Sequence, residues 1–125
     1  MDNHMDALIV EDEVDICFLL KGILSNKNIQ STSVSSITAA TNRLATQDPS
    51  MLFLDNNLPD GFGVDFINKI KVEHPLTKVI MITADDTAAV KEKAFKAGAD
   101  YFIEKPFTRE TINRTIDIVM AEHTN

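Results

Sequence analysis

Five polar residues stand at or just beyond the ends of short apolar runs. Glu11 and Asp12 follow Ala7–Val10, Asp55 follows Met51–Leu54, Thr83 follows Val79–Ile82, and Lys105 comes after Tyr101–Ile103. Three carboxylates brought together repel one another unless a cation joins them. Oxygen-only ligands select a hard cation, and Mg²⁺ suits a few carboxylates completed by water and phosphate. A carboxylate such as Asp55 can also act as a nucleophile and form an aspartyl phosphate. Phosphoryl transfer asks mainly for positioning and charge neutralisation. Lys105 would add a point charge, and the Thr83 hydroxyl a hydrogen bond to a phosphoryl oxygen. Taken singly, each residue has a plain alternative. Glu11-Asp12-Glu13 reads as a solvated turn with acids at a helix start, Asp55 as a loop cap, Thr83 as a helix entry, and Lys105 before Pro106 as ordinary. The chemistry requires that the fold gather them.

The pattern between these positions supplies such a fold. Ala7–Val10, Ile29–Val34, Met51–Leu54, Val79–Ile82 and Tyr101–Ile103 read as strands, the second more polar and near an edge. Between and after them, Asp15–Ser25, Ile37–Thr46, Val64–Val72, Ala88–Ala97 and Arg109–Ala121 carry helical periodicity. Ser36 and Thr108 are placed as N-caps and Gly98 as the left-handed residue closing the fourth helix. Pro49, Pro59, Pro75 and Pro106 all fall outside these elements, where proline belongs.

Strand and helix alternate five times across one domain, residues 1–125. Continuous apolar strands between amphipathic helices predict a doubly wound α/β fold: a five-stranded parallel sheet of order 2-1-3-4-5, flavodoxin-like, with helices on both faces. In that order the first and third strands are neighbours at the topological switch point. Ligands bind there, at the carboxyl ends of the strands.

The net charge of −7 argues against a nucleic-acid or anionic-membrane surface. No apolar run approaches the roughly 20 residues of a membrane helix, and the polar start is unlike a signal peptide. The lone Cys17 excludes an internal disulfide, which fits a reducing, cytoplasmic setting. Cys17 itself reads as a small apolar helix residue.

Four stretches, Val10-Glu11-Asp12-Glu13, Leu54-Asp55-Asn56-Asn57-Leu58-Pro59-Asp60-Gly61-Phe62-Gly63, Ile82-Thr83-Ala84 and Glu104-Lys105-Pro106-Phe107, occur in order along the chain. Together they resemble the receiver domain of bacterial two-component response regulators. The resemblance implies that Asp55 is the phosphoacceptor and that Glu11 and Asp12 are the acidic pair for Mg²⁺, Glu11 acting partly through water. It implies that the backbone carbonyl of Asn57 is a further metal ligand and that Thr83 and Lys105 hold the phosphoryl oxygens. It places a switch at Thr83 and Phe102, a cis bond at Lys105–Pro106, a small residue, Ala84, beside the phosphate, and a site-shaping loop at Pro59 and Gly63. By the same resemblance Asn57 and Asp85 border the path of the hydrolytic water and control the phosphoryl lifetime. The donor would be a histidine kinase or histidine phosphotransfer protein. Glu11 stands where Asp is commoner, and Phe102 where Tyr is common.

A signal leaving near both Thr83 and Phe102 would use the face built from residues 88–97, 101–103 and 109–121, toward a protein partner or a second copy. The first helix is apolar nearly all round (Val14, Ile16, Cys17, Phe18, Leu19, Leu20). Some of that surface must face outward, either tolerated or as a dock for a histidine-bearing helix bundle. Phe53, Phe66 and Phe95 are expected in the core, Lys91, Lys93 and Lys96 on a solvated face, and His4, His74 and His123 without a role. A dehalogenase-type phosphatase would need an acid where Asn57 stands. A flavin module would need phosphate-cradling donors where Glu11-Asp12-Glu13 lies. The chain's end soon after the fifth helix suits a stand-alone regulator or a domain cut from a longer protein.

Overall fold

The computed structural model describes residues 5–123; His4 lies outside them. The elements run β1 (Asp6–Val10), α1 (Val14–Asn26), β2 (Gln30–Val34), α2 (Ile37–Leu44), β3 (Met51–Leu54), β4 (Asn57–Leu58), β5 (Gly61–Phe62), α3 (Ile67–Glu73), β6 (Lys78–Thr83), α4 (Ala88–Ala97), β7 (Tyr101–Glu104) and α5 (Arg109–His123). Five parallel strands form one sheet in the order β2-β1-β3-β6-β7. The expected 2-1-3-4-5 arrangement is therefore the observed one, counted over the main strands.

Its physical basis is visible in the burial. Every residue of β3 is buried, because helices cover both faces. On one face Leu8, Val10, Leu52, Leu54, Val79 and Met81 pack with side chains of α2, α3 and α4. On the other Ala7, Ile9, Phe53, Ile80, Ile82 and Ile103 pack with α1 and α5. Strand alternation sorts neighbouring residues into the two cores. The edge strand β2 has no fully buried residue, as its polar sequence requires.

Several expected boundaries move. Val64 lies in a 3-10 turn, Gly63–Asp65, separate from α3. Ile29 precedes β2, following Asn28 at φ 61°. Thr83 is the last residue of β6 and does not follow it. The small antiparallel hairpin of β4 and β5 was not expected from the sequence. Phe53 and Phe66 are core residues, but Phe95 is 49% exposed. Ala94 is the buried residue of α4, so that helix seats on the sheet through a narrow stripe and leaves Phe95 at its margin.

Ser36 caps α2 through the Ala39 amide, and Thr108 accepts from the Thr111 amide at the start of α5. Gly98 closes α4 at φ 116°, a conformation that favours glycine. Lys91, Lys93 and Lys96 reach solvent but are paired, with Glu104, Asp65 and Glu92 respectively. His74 pairs with Asp48 and His123 lies against the Ser50 carbonyl, both away from the strand-end carboxylates.

Candidate phosphoryl and metal site

The order β1-β3-β6-β7 lines up four strand ends at one edge of the sheet. Val10 pairs with Leu54, Leu54 with Met81, and Thr83 with Glu104. Glu11, Asp12 and Asp55 therefore emerge side by side, with Lys105 beyond β7. Carboxylate oxygens of Glu11, Asp12 and Asp55 all lie within 4.8 Å of one another. Glu11 and Asp55 are each 4% exposed, whereas Asp12 is open to solvent.

Lys105 closes the cluster. Its Nζ lies 2.8 Å from Glu11 Oε1, 2.6 Å from Glu13 Oε2 and 3.4 Å from Asp55 Oδ2. The Lys105–Pro106 bond is cis, as expected. Burial is the strongest influence on Glu11 and pushes its carboxyl up to about 7. The hydrogen bonds from Lys105 and the Glu13 amide oppose that rise, and the charge of Asp55 adds to it. Burial acts on Lys105 in the other sense and would lower its pKa. Its bonds to Glu11 and Glu13 and the charge of Asp55 outweigh this, so the ammonium is held above its ordinary range. For Glu11 the direction is upward because burial outweighs one ammonium shared among three acids. This donor set, oxygen-only, anionic and open on the Asp12 side, fits a hard divalent cation.

Thr83 is fully buried, and its Oγ1 accepts from the Asp85 amide at 3.1 Å. The loop after Asp55 is held from within. Asn56 is buried, its Oδ1 accepts from the Val64 amide at 3.0 Å, and its carbonyl accepts from the Gly63 amide at 2.8 Å. A Cβ at Gly63 would stand 2.1 Å from the Asp55 carbonyl oxygen, so only glycine permits this approach.

The family model for the response regulator receiver domain matches residues 7–117. The chain belongs to that family. Its receiver is 39% identical over 104 residues to the response regulator protein PilR of Pseudomonas aeruginosa, covering 83% of this chain and 23% of PilR. It is 32% identical over 126 residues to the transcriptional regulatory protein BasR of Escherichia coli, covering 97% of this chain and 54% of BasR. The chain thus spans about half or less of these relatives. A two-component response regulator from Clostridium difficile shares the receiver's fold with TM-score 0.93 at 21% identity, covering 98% of this chain and all (100%) of that one. NtrX from Brucella abortus matches with TM-score 0.84 at 30% identity, over 95% of this chain and 26% of that one.

In the receiver, Phe102 and Thr83 face the α4 side of the sheet, since Met81 pairs with Phe102 and alternate residues share a face. Phe102 is half-buried, tilted against Phe95 with ring centroids 6.3 Å apart, and Lys91 Nζ lies 5.5 Å from its ring centre. Asn57, two residues after Asp55, is exposed. Asp85 is half-buried, with Oδ2 3.4 Å from Asn56 Nδ2. Cys17 is packed beside Glu11, with Sγ 3.4 Å from its carbonyl oxygen, and burial pushes its thiol pKa up. That suits an inert residue.

Sequence reasoning missed two participants. By sequence Glu13 is a helix-start acid like its neighbours, yet it meets Lys105 across 92 residues. By sequence Asn56 is only part of a motif, yet it organises the loop after Asp55. An uncapped helix start for Glu13 and a buried amide flanked by Asp55 are features that only tertiary contacts reveal.

Proposed function

We propose that this receiver takes a phosphoryl group onto Asp55 from a phosphohistidine of a kinase or phosphotransfer protein, and later loses it to water. The observation that carries this reading is the convergence of Glu11, Asp12 and Asp55 within 4.8 Å at the β1/β3 switch point, with the Lys105 ammonium 3.4 Å from Asp55. In the transfer, an Asp55 carboxylate oxygen attacks phosphorus and the phosphorus–nitrogen bond to the donor imidazole breaks. Lys105 neutralises charge on the phosphoryl oxygens, and Thr83 offers its hydroxyl to one of them. Glu11, Asp12, Asp55 and the Asn57 backbone carbonyl would hold Mg²⁺, which when bound supplies the larger share of charge neutralisation. Release follows when water attacks phosphorus opposite Asp55, along a path bordered by Asn57 and Asp85.

Val14 and Phe18 of α1, 79% and 81% exposed, support docking of the donor's helix bundle beside the site. The charge of −7 supports a protein, not a nucleic acid, as the direct partner of this domain. Among the described residues no helix is long and apolar enough to cross a membrane. The test is intact mass after treatment with acetyl phosphate and Mg²⁺. One phosphoryl group should be added to wild type and none to Asp55→Asn or to wild type in EDTA. Modification that persists in either control overturns the assignment.

A further inference from the structure

We propose that Glu13 is a positioning residue for Lys105. Its carboxylate gives the ammonium an alternative partner, drawing it off the metal-binding carboxylates when a cation enters and competing with phosphoryl oxygens for it afterwards. This rests on the reading of Asp55 as a Mg²⁺-dependent phosphoacceptor.

Lys105 has three carboxylate neighbours of two kinds. Glu11 and Asp55, at 2.8 and 3.4 Å, are the buried members of the set whose oxygens can share a cation. Glu13, at 2.6 Å, lies outside that set, and its side chain is 58% exposed. Its position on the chain makes the contact informative. Glu13 is the N-cap residue of α1, and its carboxylate makes no capping bond to the helix. Glu is not among the side chains favoured for capping, and this one turns across the site to Lys105. The Glu13 backbone amide meanwhile donates to Glu11 Oε2 at 3.1 Å, which ties the helix start to the metal-binding acid.

A lysine resting on Glu11 and Asp55 competes with any cation for the same oxygens. A third carboxylate, near enough to take the ammonium yet apart from the cation, lowers that competition without letting the lysine leave. Once Asp55 carries a phosphoryl group the lysine is needed there, and the same carboxylate becomes a rival. Glu13→Gln should therefore weaken Mg²⁺ binding and tighten beryllofluoride binding, each about two- to fivefold, the range expected of a partly exposed ion pair. Loss of one negative charge near the site would by itself shift both affinities in those directions, so Lys105 must be included in the test.

The experiment titrates the full chain with Mg²⁺, then with beryllofluoride at saturating Mg²⁺, following amide chemical shifts. It uses wild type, Glu13→Gln, Lys105→Met and the double variant. Lys105→Met should tighten Mg²⁺ by removing its competitor, and adding Glu13→Gln to it should leave Mg²⁺ affinity unchanged. A Glu13→Gln effect of the same size with and without Lys105 would make Glu13 a remote charge and overturn the proposal, as would no effect in either background. A wild type that binds neither Mg²⁺ nor beryllofluoride would instead overturn the phosphoacceptor reading on which it stands.

Discussion

At the scale of single residues, the site depends on one missing side chain as much as on those present. Gly63 lets the hairpin loop return onto the Asp55 carbonyl, and a methyl group there would sit 2.1 Å from that oxygen. Gly63→Ala is expected to cost about 1–3 kcal/mol of stability, as overpacking does, and to disturb Asp55 itself. Urea unfolding and the yield of acetyl phosphate modification check both effects. The proposed control of the phosphoryl lifetime also belongs to single residues. Asn57 is exposed, and Asp85 is tethered to Asn56, the residue after Asp55. Replacing them in Asn57→Met/Asp85→Leu should slow the decay of phosphorylated protein severalfold, measured after removal of the phosphodonor. An unchanged decay would mean that water is oriented by other groups.

At the scale of elements, the β4–β5 hairpin braces α2. Asp60 accepts from the Ile37 amide at 2.8 Å, the Thr38 amide at 2.8 Å and the Thr38 hydroxyl at 2.7 Å. A carboxylate at a helix N-terminus is favoured by the unpaired amides and by the dipole. The Ile37 amide, followed by the Thr38 amide and hydroxyl, holds Asp60 below its ordinary value of 3.8. The folded protein therefore takes up this proton less readily than the unfolded chain. The stabilisation is fully present above that ordinary value and is lost as pH falls through the lower folded one. Asp60→Ala should accordingly lower Tm at neutral pH, and the two melting curves should draw together on the acid side. A difference that stays constant into acid would mean that the charge of Asp60 contributes nothing there.

At the scale of the whole molecule, Thr83 and Phe102 lie on the α4 side of the sheet, between the strand-end carboxylates and one surface. Thr83 ends β6, Phe102 lies on the neighbouring β7, and Phe102 is covered from α4 by Phe95 and Lys91. Lys91 is in turn bonded to Glu104 at the end of β7. A phosphoryl group that draws the Thr83 hydroxyl toward it would bias this small cluster between two arrangements. Beryllofluoride with Mg²⁺ should therefore shift amide resonances across α4, β7 and α5. Thr83→Ala should bind beryllofluoride but show much smaller shifts around Phe102. Equal responses in both proteins, or shifts concentrated on α2, would count against this route.

The sequence by itself determined the alternation of elements, the sheet order and the gathering of Glu11, Asp12, Asp55, Thr83 and Lys105. The alternation follows from local periodicity, the sheet order from the flavodoxin-like fold class that alternation implies, and the gathering from strand ends sharing one edge; none needs knowledge of side-chain packing. Ser36, Thr108 and Gly98 were legible for the same reason, since caps are decided within one turn of helix. Tertiary structure decided what depends on residues far apart in the chain. Phe95 looked like core but lies at a margin because α4 meets the sheet through little more than Ala94. The hairpin carrying Asp60 became visible only as a brace for α2, 22 residues away in sequence. Glu13 has the sequence position of a helix-start acid, and only the sheet, which sets the ends of β1 and β7 on one edge with β3 and β6 between them, lets the Lys105 side chain reach it. A charged side chain's partner is set by where the backbone places the opposite charge, and that is a property of the assembled sheet.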